Sequence, residues 1–182
     1  MHIDASGLLD IAQFIASPNC DERPLGTDIN LLVIHNISLP PNEFGGNGVI
    51  ELFTNQIDSL AHAYYQSLPG HKVSTHFFIR RGGATIQFVS CNQRAWHAGV
   101  SHWQGKDRCN DFSIGIELEG SDITPFTDVQ YTALITLTKC LCDHYPIQDI
   151  AGHSDIAPGR KTDPGPYFDW GRYITELGTD IA

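Results

Sequence analysis

Apolar and polar residues follow one another along this chain in patterns that predict both strands and helices. The run NLLVIHNI, residues 30–37, is continuously apolar with β-branched side chains, which is typical of a strand buried on both faces. In DFSIGIELEG, residues 111–120, large apolar side chains alternate with small or acidic ones, which predicts a strand with one apolar and one polar face. STHFFIRR and ATIQFVS flank two glycines, and this arrangement predicts a β-hairpin over residues 74–90.

Helical spacing of apolar residues appears in three further segments. Residues 57–68 and 127–145 both have it, and Thr127 is a suitable N-cap for the second. Residues 167–177 predict a C-terminal helix.

The remaining segments complete the expected fold. QDIAGH predicts a short strand that ends at His153, and residues 92–111 predict a long loop between strands. No internal repeat or linker is apparent. We therefore expect an α/β fold, a single domain over residues 1–182 with a mixed central β-sheet flanked by helices.

The charge of the chain argues against nucleic acid as a partner. The formal net charge is −10, whereas neutralising phosphates requires a basic surface. Basic residues are nevertheless concentrated in one segment, where a single acidic residue accompanies them. This concentration is either chance clustering on two hairpin strands or a local positive field that attracts a small anionic ligand. The basic residues are Lys72, Arg80, Arg81, Arg94, Lys106 and Arg108.

The N-terminal residues and the cysteines favour a soluble cytoplasmic protein. The first residues have no basic segment of the kind that opens a secretory signal, and Asp10 interrupts their apolar part. No window approaches the roughly 18 apolar residues of a membrane span. The five cysteines have no zinc-ribbon or redox spacing, so we expect reduced thiols.

Two histidines and an aspartate are candidates for a metal site. His35 and His153 each lie at the end of a predicted strand, and Asp163 follows in the loop GHSDIAPGRKTDPG. Two imidazoles and a carboxylate would leave a fourth tetrahedral position free for water, as in catalytic zinc sites. The chain has nine histidines, however, and a histidine beside a strand is more often a hydrogen-bonded structural residue. The residues by themselves leave both interpretations open.

Three longer motifs carry a resemblance to a known family. LLVIHNISLPP followed by EFGG, RAWHAGVS with GKDRCNDFSIGIELEG, and GHSDIAPGRKTDPGP together resemble the AmpD-type N-acetylmuramoyl-L-alanine amidases. These belong to a wider group of zinc amidases that includes peptidoglycan recognition proteins and the phage T7 lysozyme-like amidase. The resemblance implies their fold, one Zn²⁺ ion per chain, and hydrolysis of the amide between the lactyl group of 1,6-anhydro-N-acetylmuramic acid and L-alanine. It also implies a place in cytoplasmic peptidoglycan recycling.

The resemblance assigns a role to each residue of the site. His35, His153 and Asp163 match the zinc ligands, Glu117 matches the carboxylate beside the attacking water, and Lys161 matches the cation beside the scissile carbonyl. The alternation of the strand does not distinguish Glu117 from Glu119, which is on the same face; only the resemblance favours Glu117.

The resemblance also implies contacts with the substrate, an anhydromuropeptide. No nucleic acid, membrane or obligate protein partner is expected. Where the family more usually has arginine, this chain has Lys72 in GHKVS, so a point charge replaces a bidentate donor. We expect His76 to be structural. The implied substrate-binding residues are Asn36, Lys72, Ala95, Trp96, His97 and Arg108.

Two other functions remain to be distinguished from a recycling amidase. A related zinc amidase that acts on intact peptidoglycan would use the same catalytic residues, but a leader or wall-binding module would be expected. A non-catalytic muropeptide-binding module would be expected to have lost a zinc ligand, whereas all three ligand positions are occupied here.

Overall fold

The structure is a computed structural model, and it describes residues 1–68 and 70–178. The strands are β1 (Gln13–Phe14), β2 (Cys20–Glu22), β3 (Leu31–Ile37), β4 (Phe77–Ile79), β5 (Thr85–Gln87), β6 (Gln93–Ala95), β7 (His102–Trp103), β8 (Lys106–Asp107), β9 (Ser113–Glu119) and β10 (Asp149–Gly152). The α-helices are α1 (Gly48–Phe53), α2 (Asp128–His144), α3 (His153–Ile156) and α4 (Trp170–Leu177), and 3₁₀ helices span Ala63–Ser67 and Cys109–Asp111.

A six-stranded sheet in the order β1-β5-β4-β9-β3-β10 forms the centre of the fold. Strands β4, β9, β3 and β10 run parallel to one another, whereas β5 pairs antiparallel with β4. Helices α2 and α4 pack against one face of this sheet. The mixed sheet and its flanking helices confirm the α/β architecture expected from the sequence.

The sheet face beneath α2 and α4 is apolar. Ile34 of β3 and Ile116 of β9 are fully buried there, together with Leu134 of α2 and Tyr173 of α4. Complete burial of an aliphatic side chain contributes about 1.5–3 kcal/mol, so this layer contributes strongly to holding β3 and β9 in place. Both strands therefore offer a rigid base for the residues at their carboxyl ends.

Several predicted elements are confirmed. β3 lies within the apolar run at 30–37, and β4 and β5 form the predicted hairpin. α2 begins after the predicted cap, because Thr127 Oγ1 accepts a hydrogen bond from the backbone N–H of Gln130 at 3.2 Å, and the Gln130 side chain accepts one from the N–H of Thr127 at 3.1 Å.

The second face of the sheet is buried too, although the alternation in β9 predicted a polar face. Residues of β9 are buried without exception. The segment 92–111 covers them, and it is not the plain loop expected from the sequence, since it contains β6, β7, β8 and a 3₁₀ helix. The largely buried guanidinium of Arg23 ties this cover to the sheet by donating to backbone carbonyls of Cys91, Asn110, Asp111 and Ser113.

The prediction of a helix over residues 57–68 is wrong for most of that segment. Only the 3₁₀ helix Ala63–Ser67 forms there. Asp58 Oδ1 accepts from the N–H of Leu60, and His62 Nδ1 accepts from the N–H of Tyr64, so side chains take backbone donors that a helix would use. Leu60 is 88% exposed, and the buried apolar side chain of this segment is Tyr65 of the 3₁₀ helix, at 6% exposed.

The boundary between β10 and the segment that follows it differs from the prediction. His153 begins α3 directly after β10 instead of ending that strand, so the GHSDIAPGRKTDPG segment contains one helical turn.

Among the residues that the structure describes, no helix combines the length and apolar character needed to cross a membrane.

Candidate active site

The parallel register of the sheet brings three predicted site residues side by side. His35 in β3 pairs with Glu117 in β9, and on the other side Ile34 pairs with Gly152, the last residue of β10. His153 follows Gly152 directly. Residues in register on parallel strands point to the same face, so His35 and Glu117 lie side by side, and His153, one residue beyond the end of β10, extends this row.

Asp163 completes a compact group with the two histidines. The Nδ1 atoms of His35 and His153 lie 2.9 Å apart, and Asp163 Oδ2 lies 3.0 Å from each of them. Both rings are buried, and the Asp163 side chain is 15% exposed. These three side chains are the group of the described residues that could hold a metal ion.

A chain of hydrogen bonds fixes the proton on the outer nitrogen of His35. The Ser113 hydroxyl donates to the carbonyl of Cys109 at 2.6 Å, so its oxygen accepts from His97 Nε2 at 3.1 Å. His97 Nδ1 is then an acceptor, and His35 Nε2 donates to it at 2.9 Å. The His97 ring lies against Gly115, where an added Cβ would be only 2.5 Å from His97 Cγ. A glycine at this position of β9 thus provides the space for the ring.

The outer nitrogen of His153 is fixed in the same way. His153 Nε2 lies 3.1 Å from the carbonyl oxygen of Ala98, which can only accept a hydrogen bond. Each neutral ring therefore carries its proton on Nε2, and the Nδ1 lone pairs of His35 and His153 both point toward Asp163. Outer hydrogen bonds of this kind are typical of histidines that bind metal ions.

The ionisation of His35 and Asp163 suits a cation. Burial is the main cause that lowers the pKa of His35 to about 4, so the ring is neutral at neutral pH. Burial opposes ionisation of Asp163, but a proton on Nδ1 of His153 or His35 would be donated to this carboxylate, and that interaction holds the pKa of Asp163 below its usual range. Three acceptor atoms about 3 Å apart require a proton or a cation between them. Two imidazole nitrogens and a carboxylate oxygen are a ligand set found for zinc, and their spacing is close to the ~3.3 Å edge of a zinc tetrahedron.

Glu117 has the properties of a group that exchanges protons. It is 8% exposed, and its Oε2 has no hydrogen-bond partner among the described residues. Burial, and secondarily the charge of Asp163, raise the pKa of Glu117 well above its ordinary value, while Lys161 acts in the opposite direction. A buried carboxyl group whose pKa is raised, with an oxygen that has no hydrogen-bond partner among the described residues, is a candidate acid or base.

The structure also distinguishes Glu117 from Glu119. Both oxygens of Glu119 are occupied, because Oε1 accepts from the N–H of Gly45 at 2.5 Å and Oε2 accepts from the N–H of Arg81 at 2.8 Å. Glu119 therefore anchors loops at the end of β9. Glu117 is not an exposed strand carboxylate either, because it is 8% exposed.

Two adjoining cavities open on this group. One of about 250 Å³ is lined by Glu117, His153, Lys161 and Asp163 among other residues. A wider one of about 440 Å³ shares Asn36, Lys161 and Asp163 with it and extends along the loop that follows β9. Lys161 is exposed and belongs to both walls, so its ammonium group is available to a bound molecule.

Three of the six implied substrate contacts lie at these cavities. Asn36, Trp96 and His97 line the smaller one. His97 uses both ring nitrogens inside the protein, as described above. The Asn36 amide is also engaged, because its Nδ2 donates to Asp122 Oδ1 at 2.8 Å and to the carbonyl of Pro164 at 3.0 Å. Trp96 is half-buried and donates through Nε1 to Asp21 Oδ1 at 3.2 Å.

The other three implied contacts lie elsewhere. Ala95 is fully buried in the core, so its side chain cannot touch a ligand. The sequence motif shows which strand carries Ala95, but it does not show that the side chain is buried. Lys72 is exposed and lines a separate cavity with Leu52. Arg108 is exposed and forms an ion pair with Asp111 at 3.3 Å. Neither cation lines the two cavities around Glu117, and their role in binding stays a prediction.

The segment rich in basic residues does not form one positive surface. Arg94 is paired with Asp21 and with Asp111, and Arg80 donates to the carbonyl of Gly46 at 2.9 Å. These guanidinium groups hold loops together. The sequence left open whether the basic residues cluster by chance or form a positive field for an anionic ligand. For these two arginines, chance clustering is the better interpretation.

Sequence reasoning missed two residues that shape the site. Ser113 ends the hydrogen-bond chain to His35, and no feature of the sequence singles out that serine. Asp122 bonds Asn36 and also Thr162, which lies between Lys161 and Asp163. Its position just past the carboxyl end of a central parallel strand was a usable signal, because ligands bind at such ends in open α/β sheets.

Comparison with known proteins agrees with this geometry. The family model of N-acetylmuramoyl-L-alanine amidases matches residues 25–166. The 1,6-anhydro-N-acetylmuramyl-L-alanine amidase AmpD of Enterobacter cloacae is 52% identical over 176 residues, which cover 96% of this chain and 94% of that protein. A crystal structure of a selenomethionine derivative of AmpD superimposes with a TM-score of 0.93 at 51% identity, over 96% of this chain and 98% of the other.

A more distant relative was solved with a ligand. The N-acetylmuramyl-L-alanine amidase AmiD of Escherichia coli, in complex with anhydro-N-acetylmuramic acid-L-Ala-D-γ-Glu-L-Lys, matches with a TM-score of 0.62 at 30% identity. That match covers 86% of this chain and 61% of AmiD. With the family model spanning most of its length and AmpD identical at half of all positions, the chain belongs to the N-acetylmuramoyl-L-alanine amidase family, as an AmpD-type member.

Proposed function

We propose that this amidase is zinc-dependent and cleaves the amide between the lactyl group of 1,6-anhydro-N-acetylmuramic acid and the L-alanine of a stem peptide, in cytoplasmic peptidoglycan recycling. The observation that carries the zinc dependence is the convergence of two imidazole lone pairs and the Asp163 carboxylate within 3.0 Å. The anhydro substrate is supported by the identity with AmpD and by the ligand bound to AmiD.

His35, His153 and Asp163 would hold the ion. A bound zinc ion supplies Lewis acidity, which polarises a carbonyl group and lowers the pKa of water to about 7. The outer hydrogen bonds of the two rings keep their Nδ1 lone pairs free for this purpose.

Glu117 would move the proton. Glu117 lines the smaller cavity, where its carboxylate accepts a proton from the attacking water and then returns it to the nitrogen of the leaving L-alanine. Burial raises the pKa of this carboxyl well above its ordinary value, and a carboxylate with a raised pKa is a stronger base toward the proton of water.

Lys161 would stabilise charge. Negative charge develops on the carbonyl oxygen as the tetrahedral centre forms, and an ammonium group on the cavity wall offsets it. Removing a well-placed donor of this kind typically lowers kcat by about 10²–10³.

The compartment is supported by the cysteines. All five are free thiols, including the fully buried Cys91 and Cys109, which is the state expected in a reducing compartment. Cell fractionation of the untagged protein, with marker enzymes for each compartment, tests this part; recovery outside the cytoplasm contradicts it.

A competition assay tests the reaction. Zinc-loaded protein receives 1,6-anhydro-N-acetylmuramyl tripeptide and intact peptidoglycan in one tube, and mass spectrometry follows the released peptide. We expect free tripeptide from the anhydro substrate. Release mainly from the polymer would indicate a wall-degrading amidase, and release from neither would indicate a binding module.

Variants show whether the activity belongs to this site. Glu117→Gln should bind zinc and lose turnover by about 10²–10⁴-fold, as expected for loss of a general base. Glu176→Gln is the matched control, because it removes an exposed carboxylate whose hydrogen-bond partner among the described residues is Arg172 on α4. Equal turnover of Glu117→Gln and the wild-type protein would exclude Glu117 as the proton carrier.

A further inference from the structure

The segment that carries Lys161 and Asp163 has little packing of its own. Residues 158–162 are exposed, and Asp163 is only partly buried. A catalytic cation and a metal ligand therefore lie on a surface loop, although both require fixed positions. Contacts from outside the loop must restrict its motion.

Asp122 makes such a contact with both oxygens of its carboxylate. Thr162 Oγ1 donates to Asp122 Oδ2 at 2.5 Å, and Asn36 Nδ2 donates to Asp122 Oδ1 at 2.8 Å. Thr162 lies between Lys161 and Asp163, and Asn36 follows His35. The carboxylate of Asp122 thus links the residue that follows His35 to the residue that precedes Asp163.

Asp122 is itself held in place by a tight turn. Ser121 and Thr124 form an antiparallel bridge directly after β9, and the Ser121 hydroxyl donates to Thr124 Oγ1 at 3.2 Å. Because this turn continues from the buried strand β9, it gives the carboxylate a rigid base.

The backbone of the loop also lies directly against Asp122. Gly165 has φ +82°, and an added Cβ would be 2.5 Å from Asp122 Oδ1 and 2.9 Å from Asp122 Cα. The Asn36 amide makes a second bond there, to the carbonyl of Pro164 at 3.0 Å. The loop therefore passes so close to Asp122 that any shift of Thr162 or Pro164 would break these hydrogen bonds.

We propose that Asp122 is a positioning residue, which holds the Lys161–Asp163 segment against the strand end that carries His35. It acts through Asn36 and Thr162 and touches none of the candidate metal ligands in doing so. The proposal rests on the proposed function, because its consequences are for zinc binding and for charge stabilisation by Lys161.

Three variants separate this role from general stability. Asp122→Ala removes both hydrogen bonds, and Thr162→Val removes one with little change of shape. Asp122→Asn keeps both, because the introduced amide oxygen accepts from Asn36 and its NH₂ donates to the Thr162 hydroxyl, which can accept. Asp169→Ala is the matched control, since Asp169 caps α4 by accepting from the N–H of Arg172 at 2.8 Å.

The measurements are the zinc dissociation constant by chelator competition, kcat and KM on the anhydromuropeptide, and thermal stability. For Asp122→Ala we expect the zinc dissociation constant to rise on the order of tenfold. This is the lower end of the loss of metal affinity that follows mutation of residues that orient metal ligands. The effect is partial because the backbone carbonyl of Asp163 still accepts a hydrogen bond from the N–H of Ser154 at 2.8 Å. We expect kcat to fall on the order of tenfold with a smaller change in KM, because Lys161 acts in the transition state.

The other variants set the limits. Asp122→Asn should stay within about threefold of the wild-type protein, because neutral hydrogen bonds replace charge-assisted ones. Thr162→Val should lie between the wild-type protein and Asp122→Ala. Asp169→Ala should lose thermal stability without a change in zinc affinity.

The outcomes distinguish this proposal from the proposed function. Failure of the wild-type protein to bind zinc or to cleave the substrate overturns the proposed function and this proposal with it. If the wild-type protein does both, and Asp122→Ala and Thr162→Val match it in zinc affinity and kcat, only the positioning role is overturned. An Asp122→Asn variant as defective as Asp122→Ala would also overturn it, since hydrogen bonding would then not be the cause.

Discussion

Removing the Ser113 hydroxyl is the most informative perturbation of the metal site, because Ser113 lies two hydrogen bonds away from His35. Ser113→Ala deletes the acceptor of His97 Nε2. The buried N–H is then either left without a partner or lost, as the His97 proton moves to Nδ1. In the second case His97 Nδ1 and His35 Nε2 would both be donors, and the His35 proton would have to move to Nδ1, where the metal ion binds.

The magnitude follows from the burial of these groups. His97 is 8% exposed and Ser113 is fully buried, so no bulk water replaces the hydroxyl. An unsatisfied buried donor costs about 1–3 kcal/mol. If that free energy is expressed at the metal site, the zinc dissociation constant rises by about 5- to 140-fold, since 1.4 kcal/mol corresponds to a factor of ten.

The assay combines zinc affinity with a direct view of the protons. Competition with a chromophoric chelator gives the dissociation constant, and long-range ¹H–¹⁵N NMR correlations identify the protonated nitrogen of each ring. In the wild-type protein we expect the proton on Nε2 of His35, His97 and His153. In Ser113→Ala we expect a changed pattern at His97 together with weaker zinc binding.

Ser74→Ala is the matched control. Ser74 is also buried, and its hydroxyl donates to the carbonyl of Asn19 at 2.6 Å and accepts from the N–H of Trp96 at 2.9 Å. That variant loses comparable hydrogen bonds without touching His35 or His97. If Ser113→Ala loses stability as Ser74→Ala does but binds zinc like the wild-type protein, the reasoning about the hydrogen-bond chain is refuted.

Three further outcomes are expected. His153→Ala should lose both zinc retention, measured by metal analysis after gel filtration, and turnover; retained zinc would contradict its role as a ligand. Lys161→Ala should retain zinc but lose about 10²–10³ in kcat, and zinc loss in that variant would argue against charge stabilisation as its role. Zinc-free protein should become less stable to urea as the pH falls from 6.5 to 4, because burial lowers the pKa of His35 to about 4 and that of His97 well below 6.5, so only the unfolded chain takes up those protons. The His35 shift corresponds to about 3 kcal/mol, and Glu117, whose pKa is raised, offsets part of it; a free energy of unfolding that is flat or rising on acidification would contradict this.

The local elements were predictable because their signals are local. The apolar run at 30–37 identified β3, and the Thr127 cap identified the start of α2. The helix prediction for residues 57–68 was wrong for an equally local reason, namely that the Asp58 and His62 side chains compete for backbone N–H donors. Helical spacing alone does not register that competition.

The candidate ligands were also predictable, but only in part from their residue types. His35, His153 and Asp163 were one possibility among nine histidines until the family resemblance selected them. The alternation in β9 left Glu117 and Glu119 equivalent. Their difference depends on which loop lies above each side chain, because Gly45 and Arg81 satisfy Glu119 whereas Glu117 faces the cavity.

The sequence by itself therefore determined which segments are strands and which side chains are available at their ends. Only the tertiary structure decided that His153, His35 and Glu117 lie in one row, because this depends on the parallel register of β10, β3 and β9. The hydrogen bonds of Ser113 with His97, and of Asp122 with Asn36 and Thr162, belong to the same class, since these partners lie 16 or more residues apart in the chain. Periodicity reports the environment of a residue along one element, whereas these contacts arise from packing between elements, which local patterns do not encode.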